Sequence, residues 1–380
     1  MRVCLERWAI VLVVVLAAVQ AAAAQSTQEL LDAVGIKSVG GMRGQMDTLG
    51  YVTSAAQMDS VLVQCRALAA PRRNDLKARY GWTAKTPFAA AVCPHDDYYY
   101  AGRLYALVLP HIRAKIVVVF GVFHKARVFD CRNKIVFDSF ARWRGPYGPV
   151  TPSALRDELI ARLPAKDFIV NNDMHTVEHS VEAIVPWLQA YNPDVELVPI
   201  LVPYMDWHTV DRIAGDVASA LAAIMREKGW ALGREVAVIA STDAVHYGDS
   251  GWGGSVYADL GTTPAGYARA VDRDRRLVTS SLSGPVRRSA LRKFLYTCVD
   301  STNVTRYRLT WCGRFSVPFG LDVASRVNET LTGRPLTGVL LDYGTSLGEI
   351  SLDLHAIPGL GATAPNNLHH WVGYAAIGYR

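Results

Sequence analysis

From Phe88 to Tyr204, continuous apolar runs alternate with amphipathic stretches, the pattern of buried parallel strands covered by helices. Four runs predict strands apolar on both faces: Phe88–Cys93, Lys115–Gly121, Glu196–Val202 and Glu235–Ser241. Leu336–Tyr343 and Val372–Tyr379 predict two later strands. Pro152–Leu163, after Thr151, predicts a helix with proline at its first position. Val177–Tyr191 predicts another, with Val177, Val181, Ile184, Val185 and Leu188 on its apolar face. Trp207–Lys228 predicts a third, closed by Gly229. Pro264–Leu282, Val286–Cys298 and Val317–Leu331 complete the helices, the last ending before Gly333. No repeat, linker or low-complexity tract divides this pattern. It reads as one α/β domain over residues 88–380, with residues 25–87 as helical N-terminal decoration. Gly248–Thr263, rich in Gly, Ser and Thr, reads as a loop near the active edge.

The first 24 residues stand apart. Arg2 and Arg7 precede the apolar run Ala9–Val19, and Ala22-Ala23-Ala24 offers a small-residue cleavage site. The run is shorter than the roughly 20 residues that a bilayer span needs, so it reads as a secretory signal. The mature chain then begins at Gln25, is secreted or periplasmic, and has no membrane span. Its composition is that of an ordinary globular protein, 50% hydrophobic and 19% charged, which excludes disordered, collagen-like and coiled-coil classes. The formal charge of +6 comes from scattered residues, and no basic arm marks a nucleic-acid partner. Export permits disulfides, and five cysteines remain after the signal: Cys65, Cys93, Cys131, Cys298 and Cys312. The odd number leaves at least one free, bound, or paired with another chain.

Three predicted strands lead into histidines. Phe88–Cys93 runs into Pro94-His95-Asp96-Asp97, Lys115–Gly121 into Val122-Phe123-His124, and Glu235–Ser241 into Thr242-Asp243-Ala244-Val245-His246. Ligands of open α/β sheets bind outside the carboxyl ends of the strands, so these histidines are placed to converge. Converging imidazoles are a transition-metal arrangement, although a histidine at one strand end is ordinarily structural. Trp311-Cys312-Gly313-Arg314 lies just ahead of a helix, whose start favours a thiolate. A buried or disulfide-bonded cysteine is the bland alternative for Cys312, and a surface ion pair for Arg314. Glu178-His179-Ser180-Val181-Glu182, at the predicted helix start, suits capping or support of a metal site better than direct ligation. No Gly-x-Ser-x-Gly elbow, Walker loop or Gly-x-Gly-x-x-Gly follows a strand, which argues against a common hydrolase, an NTPase and a nicotinamide enzyme. Tyr98, Tyr99, Tyr100 and Trp252 are candidates for an aromatic pocket.

Taken in order, these segments resemble the motifs of the MEMO family, which includes the proteins labelled AmmeMemoRadiSam system protein B. The motifs are Pro94-His95-Asp96-Asp97-Tyr98 with Ala101-Gly102, Gly121-Val122-Phe123-His124, Glu178-His179-Ser180-Val181-Glu182, Val198-Pro199-Ile200-Leu201-Val202, Ser241 through Gly248, and Cys312-Gly313-Arg314. The resemblance runs from about Phe88 to the C-terminus. It implies a three-layer α/β sandwich around a central, largely parallel sheet, similar to class III extradiol dioxygenases. It implies a metal site of His95, His124 and Cys312, with Asp243 and His246 beside it and His246 in the acid/base position. Asp96, Asp97, Glu178, His179, Glu182 and Arg314 would then support the site or line its pocket. The family usually has Pro-His-Ala-Gly-Tyr and Gly-Pro-Ser-His in the first two motifs. Both histidines survive the departures, while pocket shape changes and two carboxylates are added near the metal, where they favour a harder ion or face solvent.

The leading expectation is a redox-active, dioxygenase-like protein using iron(II) or copper rather than zinc. The alternatives are a non-enzymatic periplasmic protein that binds a metal, a peptide or a small molecule, and a zinc hydrolase. With Cys312 on a metal, the other four cysteines are left to pair or stay free. Substrate and oligomeric state do not follow from these residues.

Overall fold

The strands that read as apolar on both sides form the middle of one eleven-stranded sheet. The structure, a computed structural model, describes residues 26–83, 85–249, 257–348, 351–363 and 366–380. The expected signal over residues 1–24 and Trp252 lie outside the described residues. In chain order the strands are β1 (Met42–Arg43), β2 (Ala90–Cys93), β3 (Ile116–Val122), β4 (Ile135–Phe137), β5 (Arg142–Trp143), β6 (Thr151–Pro152) and β7 (Phe168–Val170). There follow β8 (Glu196–Val202), β9 (Val236–Ser241), β10 (His246–Gly248), β11 (Gly284–Pro285), β12 (Thr337–Thr345) and β13 (His370–Tyr379). The main sheet runs β11-β12-β13-β2-β9-β3-β8-β4-β7, with β10 on β13 and β6 on β8; β1 and β5 form a separate pair. Strands β2, β9, β3 and β8 are mutually parallel, and the β11-β12-β13 flank is antiparallel.

The helices are α1 (Thr27–Asp32), α2 (Ala55–Tyr80), α3 (Tyr98–Val108), α4 (Leu155–Arg162), α5 (Asn172–Thr176), α6 (Val185–Tyr191), α7 (Trp207–Lys228), α8 (Pro264–Ser281), α9 (Arg288–Cys298) and α10 (Ser316–Thr332). Their apolar faces divide between two cores, one on each side of the sheet. Val118 and Phe120 of β3 join the core made with α4, α7, α8, α9 and α10, whereas Val117 and Val119 join the core made with α2, α3 and α6. Burial on both faces is why these strands carry no polar alternation. This is the expected three-layer α/β architecture. Helix α7 has the bounds that its periodicity predicts, with the Asp206 side chain accepting from Thr209 N at its start and Gly229 at φ 66° closing it.

Two predicted helices differ. The stretch Val177–Tyr191 is helical only from Val185, following the short α5, and residues 177–184 form an irregular loop. Pro186 explains this: in a helix begun at Val177 it would sit in the interior, lack a backbone donor and clash with the preceding turn. The apolar face is real, since Val177, Val181, Ile184, Val185 and Leu188 are all buried, but tertiary packing satisfies it without a helix. Thr151 and Pro152 pair with β8 instead of opening a helix, because Ser153 N donates to Leu197 O at 2.7 Å. Helix α4 therefore starts at Leu155.

The irregular loop packs tightly on the end of β3. A Cβ on Gly121 would lie 2.6 Å from Ser180 Oγ and 2.8 Å from Val181 Cγ2, so only glycine permits the approach. Gly121→Ala is expected to lower unfolding free energy by about 1–3 kcal/mol through overpacking. Urea denaturation checks this, and an unchanged midpoint would show that the loop has room to yield.

Candidate metal centre

Four segments meet at the carboxyl edge of the parallel strands. His95 follows β2 by one proline, His124 follows β3, Asp243 and His246 follow β9, and Cys312 lies on the turn before α10. That turn is held against β9 because Gly313 N donates to Thr242 Oγ1 at 2.7 Å and Cys312 N donates to Ala244 O at 3.2 Å. The convergence expected from strand ends is present, and the irregular loop adds Glu178 and His179.

Cys312 Sγ lies 2.9 Å from His124 Nε2 and 3.3 Å from His95 Nε2. The ligand atoms of His95, His124 and Cys312 all fall within 4.8 Å of one another, and so do those of Asp243, His246 and Cys312. The far nitrogen of each ring fixes its tautomer. His124 Nδ1 is 2.9 Å from Glu178 Oε1, an acceptor, so Nδ1 carries the hydrogen. His95 Nδ1 is 2.8 Å from Ser241 Oγ, whose own proton goes to Ser180 O at 2.6 Å, so this Nδ1 also donates. Both Nε2 atoms therefore face the sulfur, and His95 Nε2 also faces Asp243 Oδ2 at 3.4 Å. Electron-rich atoms aimed at one point need a cation between them, either protons or a metal ion. Two imidazoles and a thiolate, each imidazole steadied from behind, fit a transition metal.

Without an ion, charge distributes itself accordingly. Burial opposes ionisation of Cys312, yet His124 and His95 hold its thiol well below the ordinary range. Burial likewise works against a charge on His124, but Glu178 and Cys312 raise it well above the usual imidazole value. His95 is raised by Asp243 and Cys312 against the same penalty. His246, with Nε2 at 3.8 Å from Asp243 Oδ2, is lifted to about 9 despite burial by Asp243 and Cys312. His179 stacks on His124 with ring centroids 4.6 Å apart, and burial together with the His124 charge pushes it down to about 3. It is the neutral histidine of the cluster.

The family model described as Memo-like protein matches residues 49–347. The chain belongs to the MEMO family. A MEMO1 family protein of Methanosarcina barkeri is 28% identical over 276 residues, covering 72% of this chain and 84% of that protein. MEMO1 family proteins of Pyrococcus abyssi and Methanothermobacter thermautotrophicus are 31% and 30% identical, and in each case the alignment covers 53% of the relative. The MEMO match opens before α2, well ahead of the Phe88 at which the motif resemblance begins.

The remaining expected residues of this MEMO chain are placed less uniformly. Asp96 accepts from Tyr374 OH at 2.6 Å and is raised to about 6 by burial and by Asp243. Asp97 accepts from Thr363 N at 2.6 Å and is raised to about 8 by burial and by Asp96. Asp97 is buried and serves to hold the Thr363 loop, whereas Asp96 stays partly exposed. Glu182 turns away from the cluster to the Arg43 guanidinium and accepts from Met46 N at 2.7 Å and Asp47 N at 2.9 Å. Arg314 lines a cavity beside Cys312. Tyr98, Tyr99 and Tyr100 belong to α3 and not to that cavity, whose aromatic walls are Phe123, Tyr204, Tyr307 and Phe315. Strand logic passes over Ser241, Arg127 and Tyr307. Only Ser241, inside a quoted motif, had a signal that position could supply.

The cysteines also sort themselves. Cys65, Cys93, Cys131 and Cys298 are buried and unpaired, so no disulfide forms among the described residues. Burial raises all four thiols, Cys131 to about 11, whereas Cys312 is lowered. The helix-start account of its thiolate gives way to the two histidines, since α10 begins only at Ser316. Iodoacetamide treatment of the folded, metal-free chain near neutral pH is expected to modify Cys312 at least about tenfold faster than the other four. Peptide mapping by mass spectrometry reads this, and uniform labelling would contradict the charge distribution described.

Proposed function

We propose that this MEMO-family protein is an exported metal protein with dioxygenase-like redox activity. His95, His124 and Cys312 hold its ion, and iron(II) or copper is favoured over zinc. The observation that carries the reading is the pair of imidazoles committed through Nδ1 to Glu178 and Ser241, with both Nε2 atoms facing one sulfur. Thiolate and imidazole donors suit soft or borderline transition metals and disfavour magnesium or calcium. When bound, the ion would supply electron transfer and Lewis acidity.

The protein's own groups do the remaining work. His246 keeps a proton near neutral pH and retains 25% of its side-chain exposure, so it is placed to deliver that proton to a bound molecule. Asp243 orients His246 and His95 together, and also receives His95 N at 3.0 Å and Asp96 N at 3.1 Å. Val122, Phe123, Val202 and Phe315 give the adjoining cavity apolar walls that limit water. A second reading, metal binding without catalysis, is favoured by the thiolate standing where oxygenases ordinarily carry a carboxylate.

Elemental analysis of the purified chain is expected to find close to one iron or copper per protein. His95→Ala, His124→Ala and Cys312→Ser should each lose most of it. Retention of stoichiometric metal by all three variants would sink the site. His246→Gln should keep the metal and lower dioxygen uptake with a catechol by about 10²–10⁴-fold. A metal-loaded parent with no uptake removes the enzyme reading and leaves the binding one.

A further inference from the structure

A cavity of about 280 Å³ opens onto Cys312, His124 and His246. In the same lining, two guanidinium groups share one ring: Arg314 lies 3.6 Å from the Tyr307 centroid and Arg127 lies 5.2 Å from it. Their hydrogen-bond acceptors are Thr305 O for Arg127 at 2.8 Å, Trp311 O for Arg314, and the Tyr307 hydroxyl, which both guanidinium groups reach and which they lower below the usual phenol range against the penalty of burial. Arg314 Nε is buried and has no acceptor among the described residues. Among the described residues, no carboxylate lines the cavity. The carboxylates behind the lining histidines, Glu178 and Asp243, are already shared with His124 in one case and with His95 and His246 in the other. Two cations on one ring repel each other, and what they lack is an anion.

We propose that the cavity binds a small organic anion, a carboxylate on a flat apolar body, with Arg127 and Arg314 holding the carboxylate. The proposal rests on the metal-centre reading only in placing the rest of the ligand against Cys312 and His124. Guanidinium groups match carboxylates in geometry and always carry charge. Phe123 and Phe315 offer the apolar surface for a ring, and the volume suits a single-ring molecule. A neutral isostere would leave the two cations and the Arg314 Nε without a partner, so discrimination by charge follows. Arg127 and Tyr307 lie outside the MEMO motifs, and the departures Val122 and Phe123 form part of the same wall.

Isothermal calorimetry with benzoate and benzamide tests this on the full chain, with and without metal. Benzoate is expected to bind at least about tenfold more tightly than benzamide. Arg127→Met and Arg314→Met should each erase most of that preference while elemental analysis finds their metal content unchanged. Arg127 is exposed, so its variant carries the test even if Arg314→Met folds poorly. Equal binding of the two probes, or a preference that survives in Arg127→Met, overturns the proposal whatever the metal content. A preference that persists in metal-free Cys312→Ser supports the anion pocket even where the metal reading fails.

Discussion

The Glu178 carboxylate holds the candidate site together. It is 1% exposed, and burying such a charge costs several kcal/mol unless donors surround it. Three do: His124 N at 2.7 Å, His124 Nδ1 at 2.9 Å and Ser180 N at 2.8 Å. Against the penalty of burial, His124 keeps the carboxyl well below the usual range. One side chain therefore fixes the end of β3, the tautomer of a histidine and the path of the irregular loop. Gly121 lets that loop approach, and Ser180 completes the junction by donating to Val122 O at 2.8 Å.

The same loop is held from outside by residues ahead of the main sheet. Arg43 donates to His175 O at 3.0 Å and to Glu178 O at 2.6 Å, packs on Trp143, and pairs with Glu182. Tyr51 OH donates to His95 O. The segment that reads as decoration is thus tied to both ends of the histidine cluster, and α2 contributes Met58, Val61 and Cys65 to a core. Removing it would leave Glu182 as an uncompensated buried charge, which is strongly destabilising.

What was legible in the sequence follows from local physics. Strand β8 and helix α7 have their predicted bounds because burial on both faces and capping leave direct marks in composition. The convergence of His95, His124 and His246 was legible because parallel topology puts strand ends on one edge. Residues 177–184 were not, since an apolar face with a 3.6-residue period is equally satisfied by a loop pressed between two layers. Pro186 was the contrary sign. The cavity walls were the least legible: Tyr98 and Tyr307 are alike as letters, and only the tertiary path sends one into a core and the other beneath two arginines.

The separation of the cluster along the chain has a kinetic consequence. Cys312 meets a histidine 217 residues before it and another 188 residues before it. Contacts of such sequence distance form late, after the loops between them have been closed. During synthesis both histidines can take their places on the sheet while the sulfur is still unmade. The complete cluster is then a signature of a finished fold: a product truncated before Cys312 would carry the histidines without the thiolate, and anything that recognises all three would favour the native state alone.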